Sequence, residues 1–129
     1  MSHRVMLIDD SESDLLYTRI ILQRASVPYE VLAFESAQEA LQALRSEPEP
    51  VDLILLDINM PGMNGFEFLE AYQALRGEQQ ADAVVVMLTS SPDATDRDRA
   101  LSFPCVKGYV TKPIDRASAD GLVQLLGSR

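Results

Sequence analysis

Residues Leu53–Leu69 read "LILLDINMPGMNGFEFL", an apolar run that ends on a carboxylate, Asp57, and passes straight into turn formers. The segment "LILL" is short, branched and bounded by turn signals, the pattern of a strand buried on both faces. Asp57 therefore stands at that strand's C-terminal end. An unpaired ionised carboxylate costs several kcal/mol to bury, so Asp57 must meet solvent, a cation or hydrogen-bond donors there. The Pro and Gly residues that follow let the chain turn sharply away from it.

Four more apolar runs share this character: "RVMLI" (Arg4–Ile8), "EVLAF" (Glu30–Phe34), "AVVVML" (Ala83–Leu88) and "GYVT" (Gly108–Thr111). Between them apolar residues recur at helical spacing: Leu15, Leu16, Ile20, Ile21 and Leu22; Ala37, Ala40, Leu41 and Leu44; Phe66, Leu69, Tyr72 and Leu75. Ala94–Leu101 and Ala119–Leu126 read as two shorter helices. Breakers fall at Pro28, Pro48, Pro50, Gly77, Pro92, Pro104 and Pro113. Alternating strands and helices demand right-handed crossovers and a parallel sheet covered on both faces. The expected fold is a three-layer open, doubly wound α/β sandwich with a five-stranded parallel sheet, formed by residues 1–129 as one domain. "EVLAF" reads as an edge strand and "GYVT" as a central one.

Composition narrows the function. A chain of 129 residues with 47% hydrophobic and 24% charged residues suits a single globular core. A formal net charge of -9 argues against nucleic-acid binding, which relies on clustered Lys and Arg. The longest apolar runs are too short for a bilayer, and "MSHRVMLIDD" meets acid before a signal-peptide core can form, so the expected location is cytoplasmic, with no membrane partner. The single Cys105 allows no internal disulfide and reads as a structural thiol. His3 has no partner pattern around it and is set aside as a ligand or base.

In open α/β sheets the ligand crevice lies beyond the carboxyl ends of the strands. Those ends carry Asp9 and Asp10, then Asp57, then Thr89 and Ser90, then Lys112. Each has an ordinary reading. Asp10 or Ser11 can cap the next helix, Asp57 can be a solvated strand end, Thr89 can satisfy its own turn, and Lys112 can be a surface lysine. Together they converge: three carboxylates in one crevice repel one another unless a cation joins them. All-oxygen ligation favours a hard ion such as Mg²⁺, which shares its coordination with phosphoryl oxygens. An ammonium and a hydroxyl beside it suit a phosphoryl group.

This order of residues resembles the receiver domain of two-component response regulators, over essentially the whole chain. "LIDDSES" is similar to the family's acidic loop, "LILLDINMPGMNGFEFL" to its phosphoacceptor segment, "VVVMLTSS" to its switch-threonine strand and "GYVTKPI" to its lysine-proline segment. The resemblance implies that Asp57 accepts a phosphoryl group from a sensor histidine kinase. It implies that Asp10 and Asp57 bind Mg²⁺, with Asp9 acting directly or through water and the Asn59 backbone carbonyl completing the protein ligands. It further implies that Thr89 and Lys112 bind phosphoryl oxygens, that Tyr109 is the mobile aromatic, swinging inward from an exposed position, and that the Lys112–Pro113 bond is cis. The implied strand order is the flavodoxin-like 2-1-3-4-5. Asn59 and Ser91 occupy positions that tune hydrolysis in the family. One departure stands out: "ALSFPCVKGY" lacks the small Gly-Ala turn common before the last strand.

The resemblance thus implies a stand-alone receiver, a monomer or weak homodimer, that catalyses its own phosphotransfer and dephosphorylation. It would act on a downstream protein target or pass its phosphoryl group to a phosphotransfer protein as a phosphorelay shuttle. A small aspartate-nucleophile phosphatase usually needs a second acid two residues after the nucleophile, where this chain has Asn59. A scaffold that binds partners without phosphorylation is the third class.

Overall fold

The computed structural model describes residues 3–46, 51–79, 83–90 and 93–126, with the backbone alone for 75–79. Strands β1 (His3–Ile8), β2 (Tyr29–Phe34), β3 (Leu53–Asp57), β4 (Val84–Thr89) and β5 (Val106–Thr111) alternate with helices α1 (Glu12–Gln23), α2 (Ala37–Ser46), α3 (Gly65–Gln79), α4 (Ala94–Leu101) and α5 (Arg116–Leu125). All four strand pairings are parallel, in the order β2-β1-β3-β4-β5. The expected architecture and order are both present.

Side chains alternate across the sheet with period two, and the core divides accordingly. Met6, Ile8, Ile54, Leu56, Val85 and Met87 face one way, joining Ala40 and Leu41 of α2, Phe66 and Leu69 of α3, and Ala100 of α4. Val5, Leu7, Leu53, Leu55, Val84 and Val86 face the other, against Leu15 and Leu22 of α1 and Ala119 and Leu122 of α5. Residues of β3 and β4 are buried without exception, which is why both segments run apolar in sequence up to their last residues, Asp57 and Thr89. Among the described residues no helix is long and apolar enough to cross a membrane.

Several local expectations need correction. The "GYVT" segment lies in β5, an edge strand, although it reads as central; α4 and α5 flank it and mask its edge character in the sequence. β5 also begins earlier, at Val106, with a register shift opposite Val85/Val86 that leaves Lys107 without a partner in the ladder. The unusual connection before it is a turn in which Val106 N–H donates to the Phe103 carbonyl (3.1 Å), with Cys105 buried and Phe103 packed on the core. α3 runs on through Gly77 to Gln79, because one glycine costs a helix only about 1 kcal/mol. α5 starts at Arg116, its N-terminus capped by Asp115. The Leu75 side chain and the breakers Pro48, Pro50 and Pro92 lie outside the described residues.

The turn after Asp57 depends on two glycines. Gly62 has φ +81°, a left-handed conformation that a side chain would strain. Gly65 opens α3 by donating its N–H to the Ile58 carbonyl at 2.8 Å. A Cβ there would lie 2.8 Å from the Asp57 carbonyl oxygen and 2.9 Å from Ile58 Cα, both unyielding backbone atoms. Asn64 and Glu67 form a reciprocal capping box at the same place, each accepting from the other's backbone N–H (2.9 and 3.0 Å). Replacing Gly65 with Ala should therefore cost about 1–3 kcal/mol in urea unfolding. Gly121→Ala, in open space within α5, should instead stabilise by about 0.4–1 kcal/mol.

Candidate active site

β1, β3, β4 and β5 deliver their polar C-terminal residues to one end of the sheet. Asp9 follows β1 and is fully buried; its Oδ1 accepts the Ser11 N–H at 3.0 Å and its Oδ2 accepts Lys112 Nζ at 2.5 Å. Ser11, rather than Asp10, caps α1, accepting the Asp14 N–H at 3.4 Å. Asp10 is thereby left exposed at the crevice mouth. Asp57 closes β3 opposite Leu88 and is 6% exposed. Thr89 closes β4, buried, and its carbonyl accepts the Lys112 N–H at 2.7 Å, so the β4–β5 ladder itself aims Lys112. The Lys112–Pro113 peptide is cis, as the resemblance implied.

The charges do not balance. Asp9, Asp10 and Asp57 bring carboxylate oxygens within 4.8 Å of one another, and among the described residues Lys112 is the cation paired with them, with Nζ at 2.5 Å from Asp9, 3.1 Å from Asp14 and 3.5 Å from Asp57. Burial pushes the Asp57 carboxyl up to about 6; Lys112 opposes this, and the charges of Asp9 and Asp10 add to it. Burial pulls the Lys112 ammonium down, but its hydrogen bond to Asp9 and the Asp57 and Asp9 charges outweigh that, leaving it above the usual lysine range. A hard divalent cation fits the excess negative charge: the donors are all oxygens, one carboxylate is exposed for access, and Asp57 resists ionising without it.

Asp14 was not legible as a site residue. An acid in the first turn of a helix is explained well enough by the helix dipole. Nothing else in the sequence around it singles it out, since Asp10, four residues earlier, lies before the helix cap and shares no helical face with it. Tyr109 also departs from expectation. Its ring packs on the core, and its hydroxyl is buried without a hydrogen-bond partner among the described residues, so it already lies inward. Period-two alternation assigns a strand residue its face but not its rotamer. Asn59 is exposed beside the site, and Ser91 lies outside the described residues.

The family of response regulator receiver domains matches residues 5–124. The chain belongs to that family. The receiver is 35% identical over 112 residues to the sensor protein GacS of Pseudomonas syringae pv. syringae, which covers 86% of this chain and 12% of GacS. It is 28% identical to protein PilH of Pseudomonas aeruginosa, over 87% of each chain. Thus it spans about an eighth of one relative and most of the other. In structure it is similar to a two-component response regulator from Cytophaga hutchinsonii (TM-score 0.89, 25% identity, 99% and 98% covered). It is also similar to a response regulator receiver protein from Dyadobacter fermentans (TM-score 0.85, 30% identity, 98% of each). Receiver domains accept phosphoryl groups on aspartate, bind Mg²⁺ at an acidic pocket, and interact with sensor histidine kinases and downstream effectors.

The raised Asp57 value fixes a pH dependence for the metal-free receiver. A carboxyl held above its ordinary value of 3.8 contributes stability that is fully present below that value and lost as pH rises through about 6. Asp57→Asn should therefore match the wild type near pH 4 and exceed it above pH 7. The gap should be about 1–2 kcal/mol, the water at the crevice mouth screening the remainder. Mg²⁺ should narrow the gap at pH 7.5, since an ion bound only by the folded wild type adds about 1.4 kcal/mol at ten times Kd. Thermal melts of both proteins across pH, with and without Mg²⁺, measure this.

Proposed function

We propose that this receiver accepts a phosphoryl group from a sensor kinase phosphohistidine onto Asp57, in a Mg²⁺-dependent step, and signals through a partner protein. The observation that carries the reading is the meeting of Asp9, Asp10 and Asp57 around one crevice with Lys112 at its inner wall. An Asp57 carboxylate oxygen attacks phosphorus in line with the departing imidazole nitrogen: the P–O bond forms as the P–N bond breaks. Such transfer needs rigid placement and compensation of charge rather than proton chemistry. β3 supplies the first, gripped between β1 and β4. Lys112 supplies part of the second, facing the phosphoryl oxygens. Mg²⁺, held by Asp10, Asp57 and the Asn59 carbonyl, with Asp9 directly or through water, would neutralise the rest. A second reading, a phosphorelay shuttle, is supported by the 31–35% identity to segments of GacS sensor proteins.

Incubation with acetyl phosphate and Mg²⁺ should add the mass of one phosphoryl group, mapped to Asp57 and absent from Asp57→Asn. Steady turnover of many phosphoesters would favour a phosphatase, and no reaction a scaffold. A phosphohistidine-bearing phosphotransfer domain that regains the group from the receiver would favour the shuttle.

In the same reading Thr89 and Tyr109 carry the signal. New phosphoryl oxygens attract the Thr89 hydroxyl, and its movement alters the packing beside β5, where Tyr109 lies two residues from the strand's end at Thr111. Because Tyr109 starts inward, its response is a repacking of the ring rather than a swing from solvent. NMR of labelled tyrosine should show the Tyr109 signal shift on adding beryllofluoride. Thr89→Ala should still bind the mimic but lose most of that shift.

A further inference from the structure

We propose that Asp14 is the positioning residue of Lys112, holding the ammonium toward the phosphoryl site when the cation has claimed the other carboxylates; this rests on the reading of Asp57 as phosphoacceptor. An ammonium has three donors and no acceptor. In this structure hydrogen bonds run from Lys112 Nζ to Asp9 Oδ2 (2.5 Å) and Asp14 Oδ2 (3.1 Å), while Asp57 Oδ1 stands 3.5 Å away. Asp9 would hold the lysine less firmly once metal is bound. Its Oδ1 is taken by the Ser11 N–H, and its carboxylate belongs to the acidic cluster, so cation and ammonium compete for what remains. Asp14 stands outside that cluster and is the anchor free of this competition.

The surroundings show what its loss would permit. A cavity of about 210 Å³ opens beside the pair, lined by Asp14, Tyr17, Thr18, Ser90, Lys112 and Pro113. A flexible four-carbon side chain deprived of one of its two anchors can turn its head into that space, away from Asp57. The helix-dipole reading of Asp14 accounts for an acid in the first turn but not for this contact. Glu12, an acid of the same turn, has no ion pair with Lys112.

The test is the rate of Asp57 phosphorylation by acetyl phosphate at saturating Mg²⁺, with Mg²⁺ affinity measured separately. Asp14→Ala should slow the reaction about fivefold, as loss of a charge-assisted hydrogen bond at a half-exposed site implies. Asp14→Asn, which keeps the side chain's size, should slow it likewise, and Asp14→Glu should recover most of the rate. Glu12→Ala removes the same charge from the same turn and should stay within about twofold of wild type. In a Lys112→Ala background the further change Asp14→Ala should have no effect, because residues acting through one another are not additive. A rate for both Asp14→Ala and Asp14→Asn equal to or above wild type, or an equal slowing in the Lys112→Ala background, overturns the proposal. A wild-type protein that takes no phosphoryl group overturns the Asp57 reading instead.

Discussion

The site is governed by an excess of negative charge around one ammonium. Lys112 faces Asp9, Asp14 and Asp57, with Asp10 beyond, and the surplus is held in place by a sheet whose strands cannot yield without exposing their apolar faces. Left alone, such a surplus destabilises the fold. In the proposed reading its persistence would make the crevice a receptor for positive charge, and then for whatever negative group a bound cation could share. Affinity for ion and phosphoryl group would thus arise from the same imbalance that burdens the fold.

The scaffold meets this demand by dividing labour along each strand. The buried interior residues of β3 and β4 fix the backbone, and the last residue of each, Asp57 and Thr89, supplies a polar group at the crevice. Backbone hydrogen bonding carries the precision further: the Thr89 carbonyl holds the Lys112 N–H, and the Ile58 carbonyl holds that of Gly65, so the lysine and the turn behind Asp57 are both placed by neighbouring backbone. The glycine at 65 is required by closeness rather than by dihedral freedom, since its missing Cβ is the space the Asp57 carbonyl occupies.

Much of this was legible because the residues concerned break a pattern. Asp9, Asp57, Thr89 and Lys112 interrupt or end apolar runs, and polarity at the end of a buried strand demands explanation. Asp14 broke no pattern: on an amphipathic helix a first-turn acid is ordinary, and only the packing of α1 beside β5's end brings it to Lys112. The inward Tyr109 was illegible for a related reason, since strand alternation gives its face and only the tertiary packing of the core gives its rotamer. β5 misled because only "GYVT" reads as strand in the sequence; the full strand also holds Lys107 and is buried at Val106 alone, as suits an edge.

The bonds that seat α5 bear on how the chain acquires its shape. The Ser26 N–H donates to Asp120 Oδ1 at 2.6 Å and the Tyr29 hydroxyl to the Ala119 carbonyl at 2.6 Å, joining residues 94 and 90 positions apart. Closing so long a loop carries an entropic cost that nearer contacts avoid. During synthesis from the N-terminus, β1 to β4 emerge before α5, and the face bearing Leu7, Leu55 and Val86 has only α1 to cover it. The last helix is therefore the lid of one half of the core, and until it docks that apolar face is the nascent chain's most adhesive surface.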